Sequence, residues 1–408
     1  MIIKNVHIEN NPKLQDVEIR DGRFYRIADE INGTGQVIDG KGSLLLPPFI
    51  DSHVHLDSTL TAGEPEWNET GTLFDGIRIW SERKKSLTKD DVKKRAKKSI
   101  ELMASNGIQY IRSHVDVTDP KLTALEALLE VREEVKDIAD LQLVAFPQEG
   151  ILSFPHGKDL MTTAVKEGVD AVGGIPHFEF NADYGRRSVA FLMELAEKYD
   201  KLVDVHCDEI DDPNTRNLEY LATEAYERGM GARVTASHTT AMAQYNDAYV
   251  CKLMRLLKMS GINFVANPLV NMHLGGRFDT YPKGRGITRV KELLANGINV
   301  SFGEDDIQDP WNPLGTGNMI DVVKMGVYAC HLMGHQQLVD SYKLVTTNAS
   351  RTLNVKDYGI KEGNEANCVI VGSSDFYGAL VGDATVLYSI RHGKVLVKRN
   401  APDVEKNW

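Results

Sequence analysis

The feature that most constrains the fold is a regular alternation of short apolar segments with longer amphipathic ones through the middle of the chain. The apolar segments have the length of buried strands and lie at residues 44–50, 108–113, 141–146, 171–175, 202–205, 233–236, 263–266 and 298–302. Helical patterns between them include residues 88–106, 122–135, 160–167, 187–198 and 217–228. Eight such alternations predict an α/β chain whose parallel sheet closes into a TIM-type (β/α)8 barrel. A doubly wound open sheet is the alternative, but no G-x-G-x-x-G sequence follows the first strand.

Both ends of the chain have a different pattern, with the short period of exposed strands. Strand-like runs lie at residues 2–8, 16–28 and 36–39, and again at 368–371, 385–390 and 394–398. Asp21-Gly22 and His392-Gly393 have the composition of hairpin turns. We therefore expect a small β-sandwich domain built from residues 1–45 and 351–408, beside a catalytic barrel of residues 46–350.

Composition excludes several classes of protein. The chain has 408 residues and a formal net charge of −11, from 47 basic and 58 acidic residues. An acidic chain is unsuited to nonspecific nucleic-acid binding, which needs basic surface to neutralise phosphates. The N-terminus has no signal-peptide pattern, and no segment approaches the roughly 20 apolar residues of a membrane span. A cytoplasmic protein with neither nucleic-acid nor membrane partners is expected.

Polar residues at the carboxyl ends of the eight strands carry the functional prediction, because active sites of such barrels lie there. Six of the 12 histidines occupy these positions: His53, His55, His114, His177, His206 and His238. His53 and His55 are two residues apart, so in a strand both point to one face. With His206 and the strand-eight acid Asp305 they form a His₃Asp set suited to one divalent transition metal. An isolated H-x-H is more often a surface or core pair, but the matching polar ends of other strands favour the metal here.

The number of metals follows from strand four. A binuclear centre in this architecture needs a bridging ligand, commonly a carboxylated lysine at the end of that strand. Residues 169–176 contain no lysine, so a single metal is expected. One metal suffices to lower the pKa of a bound water toward ~7.

Three residues are expected to move protons or to stabilise charge during the reaction. Asp305 can accept the proton of the attacking water. Glu209 lies three residues beyond His206, where it can pass a proton to a ring nitrogen of the substrate. His238 can stabilise the developing negative charge.

Three more residues are candidates for binding the substrate. Gln148 offers a donor and an acceptor on one amide, which suits the N–H/C=O edge of a nucleobase. Asp306 can accept from an amine, and Trp311 can close the pocket by stacking. His177-Phe-Glu179 matches H-x-E of another deaminase class, but the P-C-x-x-C that must follow is absent. His114 and Asp116 could line the pocket floor or support it from behind.

The sequence resembles a known family. Residues 46–57, Leu-Pro-Pro-Phe-Ile-Asp-Ser-His-Val-His-Leu-Asp, are similar to the metal motif of the amidohydrolase superfamily. Residues 106–117, 144–152, 203–211, 229–241, 258–271 and 309–315 resemble the bacterial cytosine deaminases, and the likeness covers nearly the whole chain. It implies an iron or zinc ion and homo-oligomers. It also implies metal ligands at His53, His55, His206 and Asp305. The substrate contacts that it implies are Gln148, Glu209, Asp306 and Trp311, with His238 beside the attacking hydroxide.

One position departs from that family. Where its members usually have a histidine before two aspartates, this chain has Glu304. If the Glu304 side chain points into the site, it alters the pKa of Asp305 or the substrate preference. If it points outward, its effect is small.

The expected reaction is metal-dependent hydrolytic deamination of free cytosine to uracil and ammonia, a pyrimidine-salvage step, with isoguanine as a second substrate. The acid at Asp306 leaves little apolar room near the pyrimidine C5, which favours cytosine over 5-methylcytosine. The enzymatic alternative is deamination of another cyclic amidine, with isoguanine, creatinine or a pterin as main substrate. A non-catalytic scaffold of the same fold is the alternative outside enzymes.

Overall fold

The structure is a computed structural model that describes residues 1–400. Its strands follow the alternation in the sequence closely. In chain order they are β1 Ile2–Ile8, β2 Leu14–Arg20, β3 Arg23–Ala28, β4 Val37–Leu46, β5 Phe49–Val54, β6 Ile108–Asp116, β7 Asp140–Phe146, β8 Ala171–Gly174, β9 Leu202–Cys207, β10 Val234–His238, β11 Asn263–Ala266, β12 Val300–Phe302, β13 Cys368–Val371, β14 Val386–Arg391 and β15 Lys394–Lys398.

The helices lie mainly between the barrel strands. They are α1 Leu73–Lys84, α2 Lys89–Ser105, α3 Thr123–Glu134, α4 Gly157–Glu167, α5 Ala182–Lys198, α6 Asn217–Glu227, α7 Asp247–Ser260, α8 Pro268–Leu274, α9 Val290–Ala295, α10 Met319–Ala329, α11 His335–Asp340, α12 Thr347–Thr352 and α13 Phe376–Val381. Short 3-10 turns cover Pro176–Phe178, Gly231–Arg233, Thr240–Gln244 and Ser341–Val345. Within residues 1–400, none of the helices combines the length and the apolar character that crossing a bilayer requires.

Strands β5 to β12 form the predicted barrel. Each pairs in parallel with the next along the chain, giving an eight-stranded sheet in sequence order. The first and last strands meet at a bridge between Val54 and Asp305. Two backbone hydrogen bonds close this seam: His55 N–H donates to Asp305 O over 2.9 Å, and Asp305 N–H donates to His53 O over 2.7 Å. The seam of the barrel therefore runs through the predicted metal ligands.

The predicted first barrel strand, residues 44–50, is wrong in its placement. Its first half belongs to β4, where Leu44 and Leu45 pair with β1. The barrel strand β5 starts only at Phe49 and continues to Val54. Pro47 and Pro48 separate the two, because proline has no N–H for a strand ladder. His53 consequently lies inside its strand instead of after it.

The strands near the two termini form a separate β domain, as predicted. They are hydrogen-bonded as one continuous seven-stranded sheet in the order β15-β14-β13-β4-β1-β2-β3. Its pairs are antiparallel except β1 with β4. It has its own apolar core, which includes Ile3, Val17, Phe24 and Ile390. Residues 401–408 of the predicted domain lie outside the described residues, and the limits at 45/46 and 350/351 stay predictions.

Candidate metal centre and active site

Two histidines of strand β5 face the barrel interior together, as their two-residue spacing predicts. His53 Nε2 lies 3.2 Å from His206 Nε2, and His55 Nε2 lies 3.1 Å from the same atom. Asp305 Oδ1 is 3.3 Å from His53 Nε2 and 3.6 Å from His55 Nε2. Two strands, β5 and β9, and the loop after β12 therefore bring one donor set to a single point.

The spacing of these donors fits a metal ion. A tetrahedral zinc with Zn–N bonds of ~2.0–2.1 Å places its nitrogens ~3.3 Å apart. Three Nε2 atoms at such distances cannot all be paired by hydrogen bonds to one another. A cation between them would accept the lone pair of each. Burial also lowers the pKa of His55 to about 3 and holds the pKa of His53 and of His206 well below the usual value. The imidazoles are thus neutral, which is the form that binds metals.

The Asp305 backbone is held in an uncommon conformation. Its φ of 72° lies in the left-handed region, which a residue with a Cβ enters at a cost of about 1–3 kcal/mol. The two hydrogen bonds of the barrel seam hold it there. Backbone strain of this kind at a buried acid points to a role in the site.

His238 and Glu209 form a buried pair beside this donor set. His238 Nδ1 is 3.0 Å from Glu209 Oε1 and 3.7 Å from Asp305 Oδ2. Burial by itself lowers the pKa of His238, but the carboxylates of Glu209 and Asp305 outweigh it and raise the pKa to about 9. An imidazolium at neutral pH next to a carboxylate is a proton donor and acceptor pair in one place.

The remaining predicted residues surround the same pocket. Its lining includes Gln148, Asp306 and Trp311 together with His55, His206, Glu209, His238 and Asp305. The space within this lining, which opens to solvent, is about 280 Å³. Burial, followed by the neighbouring Asp309, raises the pKa of Asp306. All nine residues named as metal-binding, catalytic or substrate-binding candidates are therefore within one pocket or directly behind it.

The indole of Trp311 is held from two sides. Its Nε1–H donates to the Leu73 carbonyl over 3.2 Å, and its backbone N–H donates to Asp309 Oδ1 over 2.9 Å. Gly76 of helix α1 packs directly against the ring, so that a Cβ at this position would lie 2.3 Å from Trp311 Nε1. Glycine is therefore needed at position 76 for the helix to approach the indole.

Sequence reasoning missed the apolar walls of the pocket. Leu73, Val270 and Leu274 line it opposite the acids. They come from the start of α1 and from α8, in connections whose position over the barrel mouth no local pattern reveals. Leu73, Leu274 and Glu209 also line a wider outer chamber of about 800 Å³, which has Phe74 and Phe278 at its rim.

Glu304 does not line the pocket. Its Oε1 accepts from the backbone N–H groups of Thr316 and Gly317 over 2.8 and 3.1 Å. The side chain is fully buried. Burial, reinforced by Asp51, raises the pKa of Glu304 to about 8. The carboxyl therefore ties the loop after β12 to the segment before α10 and does not contact the substrate space.

The two acids among the residues set aside have hydrogen-bond partners. Glu179 accepts from the backbone N–H groups of residues 151–153. Asp116 accepts from Trp80 Nε1 over 3.0 Å and from Lys84 Nζ over 2.7 Å. His114 lies behind the metal centre, with its ring centroid 3.9 Å from that of His53. Of the two roles considered for Asp116 and His114, the supporting one agrees with these contacts.

Comparison with known proteins gives the family. A model described as "Amidohydrolase family" matches residues 36–397. The chain belongs to this family. It is 30% identical over 98% of its length to N-isopropylammelide isopropyl amidohydrolase of Pseudomonas sp. (strain ADP), covering 97% of that protein. It is also 30% identical over 95% of its length to pterin deaminase of Rhizobium rhizogenes, covering 89% of that protein.

A solved structure with higher identity to this chain narrows the comparison. The chain superposes on 5-methylcytosine deaminase from Klebsiella pneumoniae, liganded with 5-fluorocytosine, with a TM-score of 0.98 and 52% identity. The match covers 100% of this amidohydrolase and 99% of the other chain. This amidohydrolase is accordingly a metal-dependent hydrolase that acts on C–N bonds, and the fold, the enzyme class and the likeness to cytosine deaminases predicted from sequence are confirmed.

Proposed function

We propose that the protein hydrolytically deaminates a free cytosine-type aminopyrimidine, releasing ammonia. The observation that carries the proposal is the Glu209–His238 pair at 3.0 Å, next to Asp305 and the three clustered histidines in one small pocket. Deamination needs a group that moves a proton to the ring nitrogen and a group that stabilises the added oxygen, and this pair can do both. The likeness to 5-methylcytosine deaminase supports the same class of substrate.

His53, His55, His206 and Asp305 would hold one divalent metal, Fe(II) or Zn(II). Nitrogen donors with one carboxylate suit either ion. When bound, the ion would supply Lewis-acid chemistry that lowers the pKa of a water toward ~7 and so makes it a nucleophile for C4 of the base.

The side chains of the pocket then move the protons. Asp305 accepts one proton of the attacking water. Glu209 takes the other proton of that water and delivers it to N3, which makes C4 a better electrophile. The His238 imidazolium donates a hydrogen bond to the oxygen that adds to C4. Return of the proton from Asp305 to the amino group lets ammonia leave.

The size and polarity of the pocket support a free base as the substrate. A space of about 280 Å³ takes one small ring but not a nucleotide within a strand. Gln148 would contact the N–H/C=O edge, Asp306 an exocyclic or ring nitrogen, and Trp311 one face. Leu73, Val270 and Leu274 add apolar wall to the same space. We therefore propose cytosine and its C5-substituted forms as substrates, although Asp306 alone favoured cytosine.

The test is a spectrophotometric screen of zinc- and iron-loaded protein. The substrates are cytosine, 5-methylcytosine, isoguanine, creatinine and a pterin, with metal-depleted protein as the matched control. We expect metal-dependent loss of ammonia from cytosine or 5-methylcytosine. Turnover of another aminoazine without either pyrimidine would refute the proposed substrate. Failure to bind any transition metal would instead support the scaffold alternative. The homo-oligomer remains a prediction, which light scattering on the same sample would check.

A pterin is the second candidate, because one feature favours it. The outer chamber of about 800 Å³ shares Leu73, Glu209 and Leu274 with the inner pocket. A bicyclic substrate could place its amino-bearing ring inside and its second ring in this chamber. The 30% identity to pterin deaminase agrees with such a placement.

A further inference from the structure

A chain of buried hydrogen bonds runs from the back of the His53 ring into the barrel interior. His53 Nδ1 lies 3.1 Å from the Ser237 hydroxyl oxygen. That hydroxyl donates to Asp204 Oδ1 over 2.6 Å. Asp204 Oδ2 in turn accepts from Arg112 Nη1 over 2.9 Å. All four residues are buried, with 0% of each exposed.

This chain determines which nitrogen of His53 carries the proton. A serine hydroxyl has one proton, and Ser237 donates it to Asp204. The Ser237 oxygen can then only accept from His53, so Nδ1 is protonated and Nε2 keeps its lone pair. Nε2 is the atom that lies 3.2 Å from His206 Nε2 and 3.3 Å from Asp305 Oδ1.

We propose that Ser237 and Asp204 are positioning residues for the metal centre, holding His53 in the tautomer and ring orientation that a metal ligand requires. The inference rests on the proposed metal centre and is independent of which base is the substrate. Hydrogen-bonding partners of this kind on a metal-bound histidine typically change metal affinity by about 10- to 100-fold.

Arg112, at the far end of this series of hydrogen bonds, is anchored to the barrel floor. Arg112 Nη2 donates to the Thr352 carbonyl over 3.0 Å and to Gln142 Oε1 over 3.0 Å. Gln142 Nε2 donates to the Leu353 carbonyl over 2.8 Å. Asp204 is therefore fixed by contacts at the end of α12, so that neither it nor Ser237 can follow His53 if the ring rotates.

His53 is held in a way that His206 is not. His206 Nδ1 has no hydrogen-bond partner among residues 1–400. The ring of His53 is further confined by His114, at 3.9 Å between centroids with the two planes 30° apart. The Ser237–Asp204 contact thus acts on one particular ligand of the proposed centre.

A second cation is the competing explanation for the same atoms. His53, His114 and Asp204 each offer a ligand atom, all within 4.8 Å of one another. Both ring nitrogens of His114 lack hydrogen-bond partners in the described chain. A cation there would need His53 Nδ1 as a ligand, which would break the bond to Ser237. The guanidinium of Arg112, 2.9 Å from Asp204, also opposes a second positive charge.

The experiment compares two buried serines of the same barrel. The Zn²⁺ affinity of Ser237→Ala and Asp204→Asn is measured by competition with a chromophoric chelator, without substrate. Ser301→Ala is the matched control, because the Ser301 hydroxyl contacts Thr352 Oγ1 at 2.9 Å at the barrel floor. We expect about 10- to 100-fold weaker binding in the first two variants and no change in the control. Ser237→Thr, which keeps the hydroxyl, should restore affinity.

A spectroscopic measurement separates positioning from loss of packing. Co²⁺-loaded Ser237→Ala should show an altered visible d–d spectrum, whereas Ser237→Thr and Ser301→Ala should match the wild type. If Ser237→Ala does not fold, Ser237→Cys keeps the volume and weakens the hydrogen bond, so we expect an intermediate loss of affinity.

Three outcomes would overturn the inference: wild-type affinity in both Ser237→Ala and Asp204→Asn, an equal loss in Ser301→Ala, or two metal ions per wild-type chain. Wild-type protein that binds one metal but deaminates no pyrimidine would refute only the proposed substrate. Wild-type protein that binds no metal would refute the centre on which both proposals rest.

Discussion

Two ion pairs, one in each sheet of this protein, differ in how deeply their charged side chains are buried. Arg112 and Asp204 meet at 2.9 Å inside the barrel, with side chains that are 1% and 0% exposed. Arg20 and Glu18 meet at 2.7 Å on the terminal sheet, where 54% of the Arg20 side chain is exposed. The barrel strands β5, β6 and β10 are buried at every residue, whereas β15 has none buried.

The difference explains where chemistry can be placed. An exposed charge on the terminal sheet, such as that of Arg20, is solvated by water and needs no particular neighbour. A charge inside the barrel is stable only when its partners are in place, because an unpaired buried charge costs several kcal/mol. Barrel residues therefore hold one another in fixed positions, and this rigidity is what a metal centre requires.

The largest effect is expected at Glu209, which is buried beside His238 and would touch the substrate. Glu209→Gln keeps the shape but cannot pass a proton to N3. We expect kcat to fall by about 10²- to 10⁴-fold, with metal content unchanged, as measured by steady-state kinetics and elemental analysis. Glu18→Gln on the terminal sheet is the control and should keep wild-type kcat. Retention of activity in Glu209→Gln would remove it from the mechanism.

The second prediction breaks the two ion pairs directly. Arg112→Met leaves Asp204 buried without its cation and should lower the free energy of unfolding by about 3–5 kcal/mol. Arg20→Met should leave stability unchanged within error, because its pair is exposed. Urea denaturation of both variants measures the difference. An equal loss of stability in the two variants would show that burial does not make the barrel ion pair more important than the exposed one.

A third pair of variants uses two glycines, each in close contact with a neighbouring side chain. A Cβ at Gly76 would lie 2.3 Å from Trp311 Nε1, and a Cβ at Gly40 would lie 2.3 Å from Val6 Cγ1 in the terminal sheet. Both alanine variants should lose about 1–3 kcal/mol of stability from overpacking. Only Gly76→Ala moves the indole over the pocket, so only it should raise KM, by about 10-fold. A changed KM in Gly40→Ala would contradict this division.

The last prediction concerns pH, and its effect is spread over several pH units. The pKa of Glu304 is about 8 in the folded protein, above the 4.5 of an ordinary glutamate, so the folded state binds the extra proton. This contribution to stability is complete below pH 4.5 and is lost as pH rises through 8, with a slope of at most about 1.4 kcal/mol per pH unit. Glu304→Gln lacks this contribution.

Thermal unfolding of metal-free protein between pH 5 and 9 measures the effect. Relative to wild type, Glu304→Gln should gain stability as pH rises. Glu365→Gln, at an exposed carboxyl beside the terminal sheet, should run parallel to wild type. Parallel curves for Glu304→Gln as well would show that the carboxyl is not held protonated.

Much of the fold could be predicted because it depends on local periodicity. Strands β1, β11, β13 and β15 lie at the predicted residues, and the others differ at one or both ends. The exception is the run at residues 44–50, which the pattern predicts as one strand but which belongs to two sheets. Which sheet a segment joins depends on partners distant in sequence, so Leu44 and Phe49 could not be separated by pattern alone.

The sequence by itself determined which donors come together at the proposed metal centre. His53 and His55 share a face because side chains alternate along any strand, and His206 and Asp305 follow at the ends of later strands. Tertiary structure alone decided the direction of Glu304, the apolar walls from α1 and α8, and the contact between Ser237 and His53. These depend on the register between strands and on how connections cross the barrel mouth, and packing of the whole chain sets both.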